Sequence, residues 1–347
     1  MKILLIGGTG FISSWIVKKL LERDHEVTVA TRGRTVPHGY EAAKVKFAVV
    51  DRSSRESLSR GIGRATFDAV IDMVAYRPEE SNAAIEALKG KTGRFVHCST
   101  ISVYMVSYEV QCPITEDQDK GRVMEYFPRN PFGMDYGLKK RECESVLWDA
   151  HDENTFPVTM LRPTFVCGPQ DPAKRDFFWI ERILDGGPLL VPGGGSHPFQ
   201  SVYVEDVAAA FVKALDVPAS VGESYNIVSE EIFSLNDYLG ALSNLLGKRP
   251  ELIHVDQDVF DAQPFSSSDA GDVFPFNVRR TSVFSVEKTK RDLGFRSTPF
   301  RSWMPKTIEW FTRQFKGHSN GYERRSDEMK FAERWKKAGI RMRKDLS

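Results

Sequence analysis

Tyr136 and Lys140 stand four residues apart in the run Tyr136-Gly137-Leu138-Lys139-Lys140, so on a helix both project from one face. A phenol with its ordinary pKa of about 10 is a poor base at neutral pH, but a neighbouring ammonium favours the phenolate and brings it toward working range. Upstream, Phe95-Val96-His97-Cys98-Ser99-Thr100-Ile101-Ser102-Val103-Tyr104 carries an apolar strand into a cluster of hydroxyls. Thr100 is there a donor for a substrate oxygen. Such a set suits proton transfer at a hydroxyl-bearing carbon.

A second chemistry-bearing run comes earlier, in Gly7-Gly8-Thr9-Gly10-Phe11-Ile12-Ser13, between an apolar strand and the first helical stretch. That is where a dinucleotide pyrophosphate needs a tight turn and a free helix N-terminus; Gly7 permits the turn and Gly10 a close backbone approach. The second strand ends in Thr31-Arg32-Gly33-Arg34, without the carboxylate that would bind the adenosine ribose hydroxyls. Two guanidiniums suit a 2′-phosphate instead, so NADP is favoured and NAD is the alternative. Asp51, ending the third strand, is placed to accept a hydrogen bond from the adenine amino group. With such a cofactor the tyrosine, lysine and threonine would carry out hydride transfer at a carbinol.

The elements that must position these residues alternate. Strand-like runs at 2–6, 26–30, 45–50, 69–73, 95–98 and 158–161 are separated by helical patterns such as 12–23, 79–88 and 136–150. Alternation of this kind predicts an α/β fold with a Rossmann-type doubly wound parallel sheet, because each parallel crossover needs a helix to return over one face. After Arg162 the rhythm loosens through Gly186-Gly187-Pro188 and Pro192-Gly193-Gly194-Gly195, before 202–204 and the helix 207–215 resume order. The expected organisation is a dinucleotide-binding core at 1–165, rejoined by roughly 200–228, and a smaller interleaved substrate lobe at 166–199 and 229–315. A charged tail at 316–347 reads as an amphipathic helix, solvated or dimer-facing, around Met329, Phe331, Trp335 and Ile340.

Composition narrows the partners. Lys plus Arg number 48 against 47 Asp plus Glu, so a net charge of +1 advertises neither nucleic acid nor an anionic membrane. Cys98, Cys112, Cys143 and Cys167 show no metal-ligand spacing, and no metal is expected. Reduced thiols and the lack of an apolar run near the roughly 18 residues of a membrane span make the cytoplasm the default expectation.

With these motifs in order, the chain resembles the extended short-chain dehydrogenase/reductase family of NAD(P)-dependent sugar epimerases, dehydratases and reductases. The resemblance covers roughly residues 1–315 and rests on the glycine turn, Asp51, the hydroxyl cluster, Tyr136 with Lys140, Leu161-Arg162-Pro163 with Gly168-Pro169, and Val202-Tyr203-Val204-Glu205-Asp206-Val207-Ala208. It implies Tyr136 as acid/base, Lys140 on the nicotinamide ribose, Thr100 as the catalytic hydroxyl with Ser102 as a second contact, and Pro163 near the nicotinamide ring. The implied cofactor contacts are Gly7, Thr9, Gly10, Phe11, Ile12, Thr31, Arg32, Arg34, Asp51, Arg52, Val74, Ala75, Lys140 and Pro163. A homodimer through two helices per subunit, one bearing the tyrosine, is also implied. Some plant relatives with a similar Thr-Arg-Gly strand end look like RNA-binding proteins, so a non-catalytic binding protein is the alternative. The intact Thr100, Tyr136 and Lys140 set, and the lack of aromatics interleaved with basic residues, favour the enzyme.

Departures from the family pattern bear on the substrate. Ser13 replaces the third glycine, which still allows close helix packing. Ile101-Ser102 stands where dehydratases carry Asp-Glu, which disfavours 4,6-dehydration. Phe165 and Phe199 occupy positions where relatives often place Asn and a diphosphate-binding Arg, and phenylalanine cannot neutralise a diphosphate. The expected substrate is therefore a nucleotide-free sugar or another hydroxy-ketone, or a nucleotide-sugar if Arg175, Arg279 or Arg280 serve as substitute cations. Phe165, Phe177, Phe178, Trp179 and Phe199 read equally as an aromatic pocket or as core. His197 is a candidate substrate contact, while His97 reads as a satisfied core histidine. Epimerase and dehydrogenase or reductase differ in cofactor retention and not in these residues.

Overall fold

A computed structural model describes residues 1–34, 40–126, 133–268 and 271–345. The chain opens with β1 (Lys2–Ile6), α1 (Phe11–Leu21), β2 (Glu26–Thr31), β3 (Lys46–Val49), α2 (Arg55–Ile62), β4 (Ala69–Asp72), α3 (Pro78–Leu88) and β5 (Phe95–Cys98). It continues through a one-turn α4 (Ser102–Met105), the long α5 (Met134–Asp152), β6 (Val158–Pro163), β7 (Phe165–Cys167), α6 (Arg175–Leu184) and β8 (Leu189–Pro192). Then come β9 (Ser201–Tyr203), α7 (Val204–Asp216), β10 (Ser224–Ile227), α8 (Leu235–Leu246), β11 (Leu252–Val255) and α9 (Gln257–Asp261). Two residue-pair strands, β12 (Ser267–Ser268) and β13 (Gly271–Asp272), precede α10 (Glu287–Leu293), α11 (Phe300–Arg313) and α12 (Arg325–Asp345).

These elements form two compact units. The first holds Met1–Val166, Ser201–Glu230 and Phe284–Ser297; the second holds Cys167–Gln200, Glu231–Val283 and Thr298–Ser347. In the first unit seven strands pair in the order β10-β6-β5-β4-β1-β2-β3. Every pair is parallel. Strands β4, β5 and β6 are buried along their whole length, which is why their sequences are continuous apolar runs and do not alternate. The strand order reverses at β1, between β2 and β4, and the crevice at the carboxyl ends of such strands is where ligands of doubly wound sheets bind. The doubly wound parallel sheet expected from the alternation is thus the fold.

The second unit is built around aromatic side chains. Phe177, Phe178 and Trp179 of α6 are buried with Phe274, and Phe199 lies stacked on Phe276 at 4.8 Å between ring centroids. The charged tail differs from its expectation. The first half of α12 is anchored in this unit: Arg182 donates to both carboxylate oxygens of Glu328 at 2.7 and 3.0 Å, and Arg325 bridges Glu328 and Asp185. Phe331 and Ala332 are buried beside them, while Ile340 and Met342 near the helix end are exposed. Neutralised arginines let a sequence that reads as solvated enter a core. Among the described residues no helix is long and apolar enough to cross a membrane.

Candidate functional site

The glycine turn is shaped by its neighbours. Gly7 has φ +88°, and a Cβ there would lie 2.6 Å from Val74 Cγ1, so both backbone conformation and space demand glycine. Its amide donates to the Ala30 carbonyl at 2.9 Å, tying the turn to β2. Gly10 caps α1 and is exposed, with Thr9, Phe11 and Ile12 half-buried around it. Ser13 does more than fit. Its hydroxyl donates to the Gly7 carbonyl at 2.6 Å and accepts the Gly10 amide at 3.1 Å, closing the turn on itself. No acidic residue stands in the first turn of α1, leaving its positive end open to an anion.

Beyond β2, Arg32 and Arg34 are exposed and Thr31 is half-buried. Asp51 is exposed too, and hydrogen bonds from the Ser53 hydroxyl and amide hold its carboxyl below the usual range, with the charges of Arg32 and Arg34 pushing the same way. The carboxylate and both guanidiniums thus share one region at the ends of β2 and β3. Arg52 behaves differently: it is buried and ion-paired with Asp72 at the end of β4, and its Nε and Nη1 lack partners among the described residues. These residues fit a dinucleotide: an open helix N-terminus, two exposed cations and a carboxylate acceptor.

The lysine sits deeper than its partner tyrosine. Lys140 is buried on α5 and its ammonium donates to the carbonyls of Ala75 at 2.8 Å and Cys98 at 2.5 Å, and to His97 Nε2 at 3.2 Å. Burial holds its pKa below the ordinary lysine value. Tyr136, one turn earlier, is 42% exposed, so its hydroxyl-bearing ring remains accessible while the cation beneath it is enclosed. Thr100 is buried at the start of the turn into α4; its hydroxyl donates to Ser102 Oγ and accepts the Ser102 amide, each at 3.2 Å. Ser99 Oγ is also buried and has no partner among the described residues. Pro163, closing β6, accepts the Ile101 amide at 3.1 Å and so fixes this turn against the neighbouring strand.

Two neighbours were not singled out by the sequence reading. Tyr76, after β4, places its half-exposed ring 6.3 Å from that of Tyr136 and 5.8 Å from Lys140 Nζ. Its amide and that of Arg77 are held by Glu80 at the start of α3. Gly137 brings α5 against α4. The signal for both was there, as an aromatic following Ala75 and a glycine inside a helical pattern, but neither shows from sequence what it faces.

Trp179 and Phe199 are wholly buried and pack against aromatic rings of the second unit, so the core reading replaces the pocket reading for both, as it does for Phe177 and Phe178. Arg279 is committed to Asp261 and Asp272. His197 is exposed and Phe165 half-buried on β7. Among the described residues no group of three or more His, Cys, Asp or Glu side chains could hold a metal ion.

A family described as the NAD dependent epimerase/dehydratase family matches residues 3–228. The chain is 27% identical to the chloroplast stem-loop binding protein of 41 kDa b of Arabidopsis thaliana, over 85% of this chain and 75% of that protein. It is 25% identical to a UDP-N-acetyl-alpha-D-glucosaminuronate decarboxylase of Bacillus cytotoxicus, covering 89% and 97%. Among solved structures it is similar to the UDP-glucose 4-epimerase of Thermotoga maritima with UDP-glucose, at TM-score 0.71 and 22% identity over 91% of this chain and all of that one. The UDP-glucuronic acid 4-epimerase of Bacillus cereus in complex with NAD gives TM-score 0.69 and 21% identity over the same shares.

Proposed function

Because the chain belongs to the NAD dependent epimerase/dehydratase family, we propose that it acts on a carbinol of a sugar or nucleotide-sugar through Tyr136, Lys140 and Thr100, as an epimerase or a dehydrogenase/reductase. The observation that carries this reading is the Lys140 ammonium, enclosed by the Ala75 and Cys98 carbonyls one helical turn from an accessible phenol. Neither carbonyl is an anion, so the positive charge stays available to favour the Tyr136 phenolate. Tyr136 takes the substrate hydroxyl proton, and Thr100, aided by Ser102, donates to the oxygen as its charge develops. A bound nicotinamide cofactor supplies hydride acceptance and return. Replacing Tyr136 by Phe removes the proton acceptor; turnover should fall by about 10²–10⁴-fold with cofactor affinity retained. Full activity of Tyr136→Phe on an identified substrate would overturn the assignment.

In this reading the amides of Gly10, Phe11 and Ile12 receive the pyrophosphate, Asp51 the adenine, and Arg32 with Arg34 a 2′-phosphate, which makes NADP the preferred cofactor over NAD. Support comes from the exposed guanidiniums and from a β2 that ends in Thr31, not in a carboxylate. Ile101 and Ser102, standing where a dehydratase needs an acid and a base, support epimerisation or net redox over dehydration. A homodimer pairing the tyrosine-bearing helix of each copy follows from the family resemblance, and a cytoplasmic setting is supported by cysteines that form no disulfide among the described residues.

A second reading is favoured by the likeness to a stem-loop binding protein. Tight RNA binding whose affinity falls steeply with salt, undiminished in Tyr136→Phe, would support it.

A further inference from the structure

His97 lies on β5, in register with Asp72 of β4 on one side and Met160 of β6 on the other, so its place is as fixed as the sheet. An ammonium has three N–H donors, and in Lys140 all three are in use. The Ala75 and Cys98 carbonyls take two at 2.8 and 2.5 Å, and His97 Nε2 takes the third at 3.2 Å, the longest of the set. Because the lysine can only donate, Nε2 must be unprotonated and the ring proton must sit on Nδ1. Nδ1 is buried and has no partner among the described residues. A residue serving only to fill space at this position would not leave a buried donor unmatched.

We propose that His97 is a placeholder for Lys140: it holds the third N–H of the ammonium until a hydroxyl of the bound cofactor's ribose takes that bond in its place. The inference rests on the reading of Lys140 as a cofactor contact. A neutral imidazole suits the task where a carboxylate would not. It satisfies the donor without cancelling the charge that acts on Tyr136, and its bond is weak enough to exchange. The charges around the ring keep it neutral: burial, then Lys140 from α5 and Arg52 from beyond β3, push its pKa well down, while Asp72 is occupied by Arg52.

The test uses the full chain with His97→Phe and His97→Leu, which remove the acceptor, His97→Gln, which keeps one, and Lys140→Met. Dissociation constants for NADP and NAD are measured by calorimetry, with melting temperatures of the free and cofactor-loaded protein. Without the acceptor, the free protein carries an unmatched N–H that the ribose then satisfies. His97→Phe or His97→Leu should therefore bind cofactor about tenfold more tightly and show a larger melting shift on binding, with His97→Gln within about twofold of wild type. Either acceptor-free variant that folds decides the point. Unchanged or weakened affinity, with free and loaded melting temperatures lowered equally, would mean that His97 is packing alone. If Lys140→Met leaves cofactor affinity unchanged, the reading of Lys140 itself fails; if it weakens binding while the acceptor-free variants match wild type, only the placeholder role fails.

Discussion

Gly137 stands so close to Ser102 that a Cβ on it would lie 2.7 Å from the Ser102 carbonyl oxygen, and 2.7 Å from Val106 Cγ1. The contact sets how near α5 comes to α4, and hence how near Tyr136 comes to the Thr100–Ser102 hydroxyls. Since one obstacle is backbone, Gly137→Ala must move a helix. We expect a loss of about 1–3 kcal/mol in stability, with turnover falling further than the remaining folded fraction explains. Chemical unfolding and assays on the same preparation check this; a G137A protein of wild-type stability and turnover would refute it.

Arg32 and Arg34 provide the test of cofactor choice. Charge-assisted bonds to a phosphate contribute about 1.5–3 kcal/mol each. The pair Arg32→Ala and Arg34→Ala should weaken NADP binding at least about tenfold while leaving NAD nearly unchanged. Equal weakening of both in titration calorimetry would assign the arginines elsewhere.

Stability of the second unit should depend on Asp176. This wholly buried carboxyl accepts the Tyr238 hydroxyl at 2.7 Å, and burial pushes its pKa from the ordinary carboxylate range up to about 7. The folded state therefore holds a proton that the unfolded chain releases. Its contribution is fully present below the unfolded value and is lost as pH rises through about 7. Asp171, also raised by burial, acts in the same direction. The difference in unfolding free energy between wild type and Asp176→Asn should fall between pH 4 and 7. A flat difference across that window would show the group ionised in the folded protein.

Glu328 links α12 to the unit it packs in. It is 1% exposed and ion-paired with both Arg182 and Arg325. Glu328→Gln leaves two guanidiniums enclosed with one carboxylate, Asp185, on Arg325 alone. We expect a cost of about 3–5 kcal/mol, read as a lowered urea midpoint. A change below about 1 kcal/mol would return the tail to the solvated helix that its composition suggests.

Much of the first unit was legible in the sequence. Strands β1, β2 and β5 fall where their apolar runs predict them, and the glycine turn, Thr100, Tyr136 and Lys140 are named by local patterns, because backbone geometry ties a residue's type to its immediate neighbours. Helix α7 starts at Val204, ahead of the expected 207, as Glu205 and Asp206 occupy its positive first turn.

What the sequence by itself determined is a doubly wound sheet carrying a tyrosine–lysine helix and a glycine turn, each readable from periods of a few residues. Only the tertiary structure decided that Trp179 and Phe199 are core, that Arg325 and Glu328 enter the interior, and that His97 faces Lys140. Those facts depend on partners far away along the chain, such as His97 and Lys140, 43 residues apart. An aromatic or charged side chain carries no mark of its partner, and burial is settled by what the fold brings to meet it.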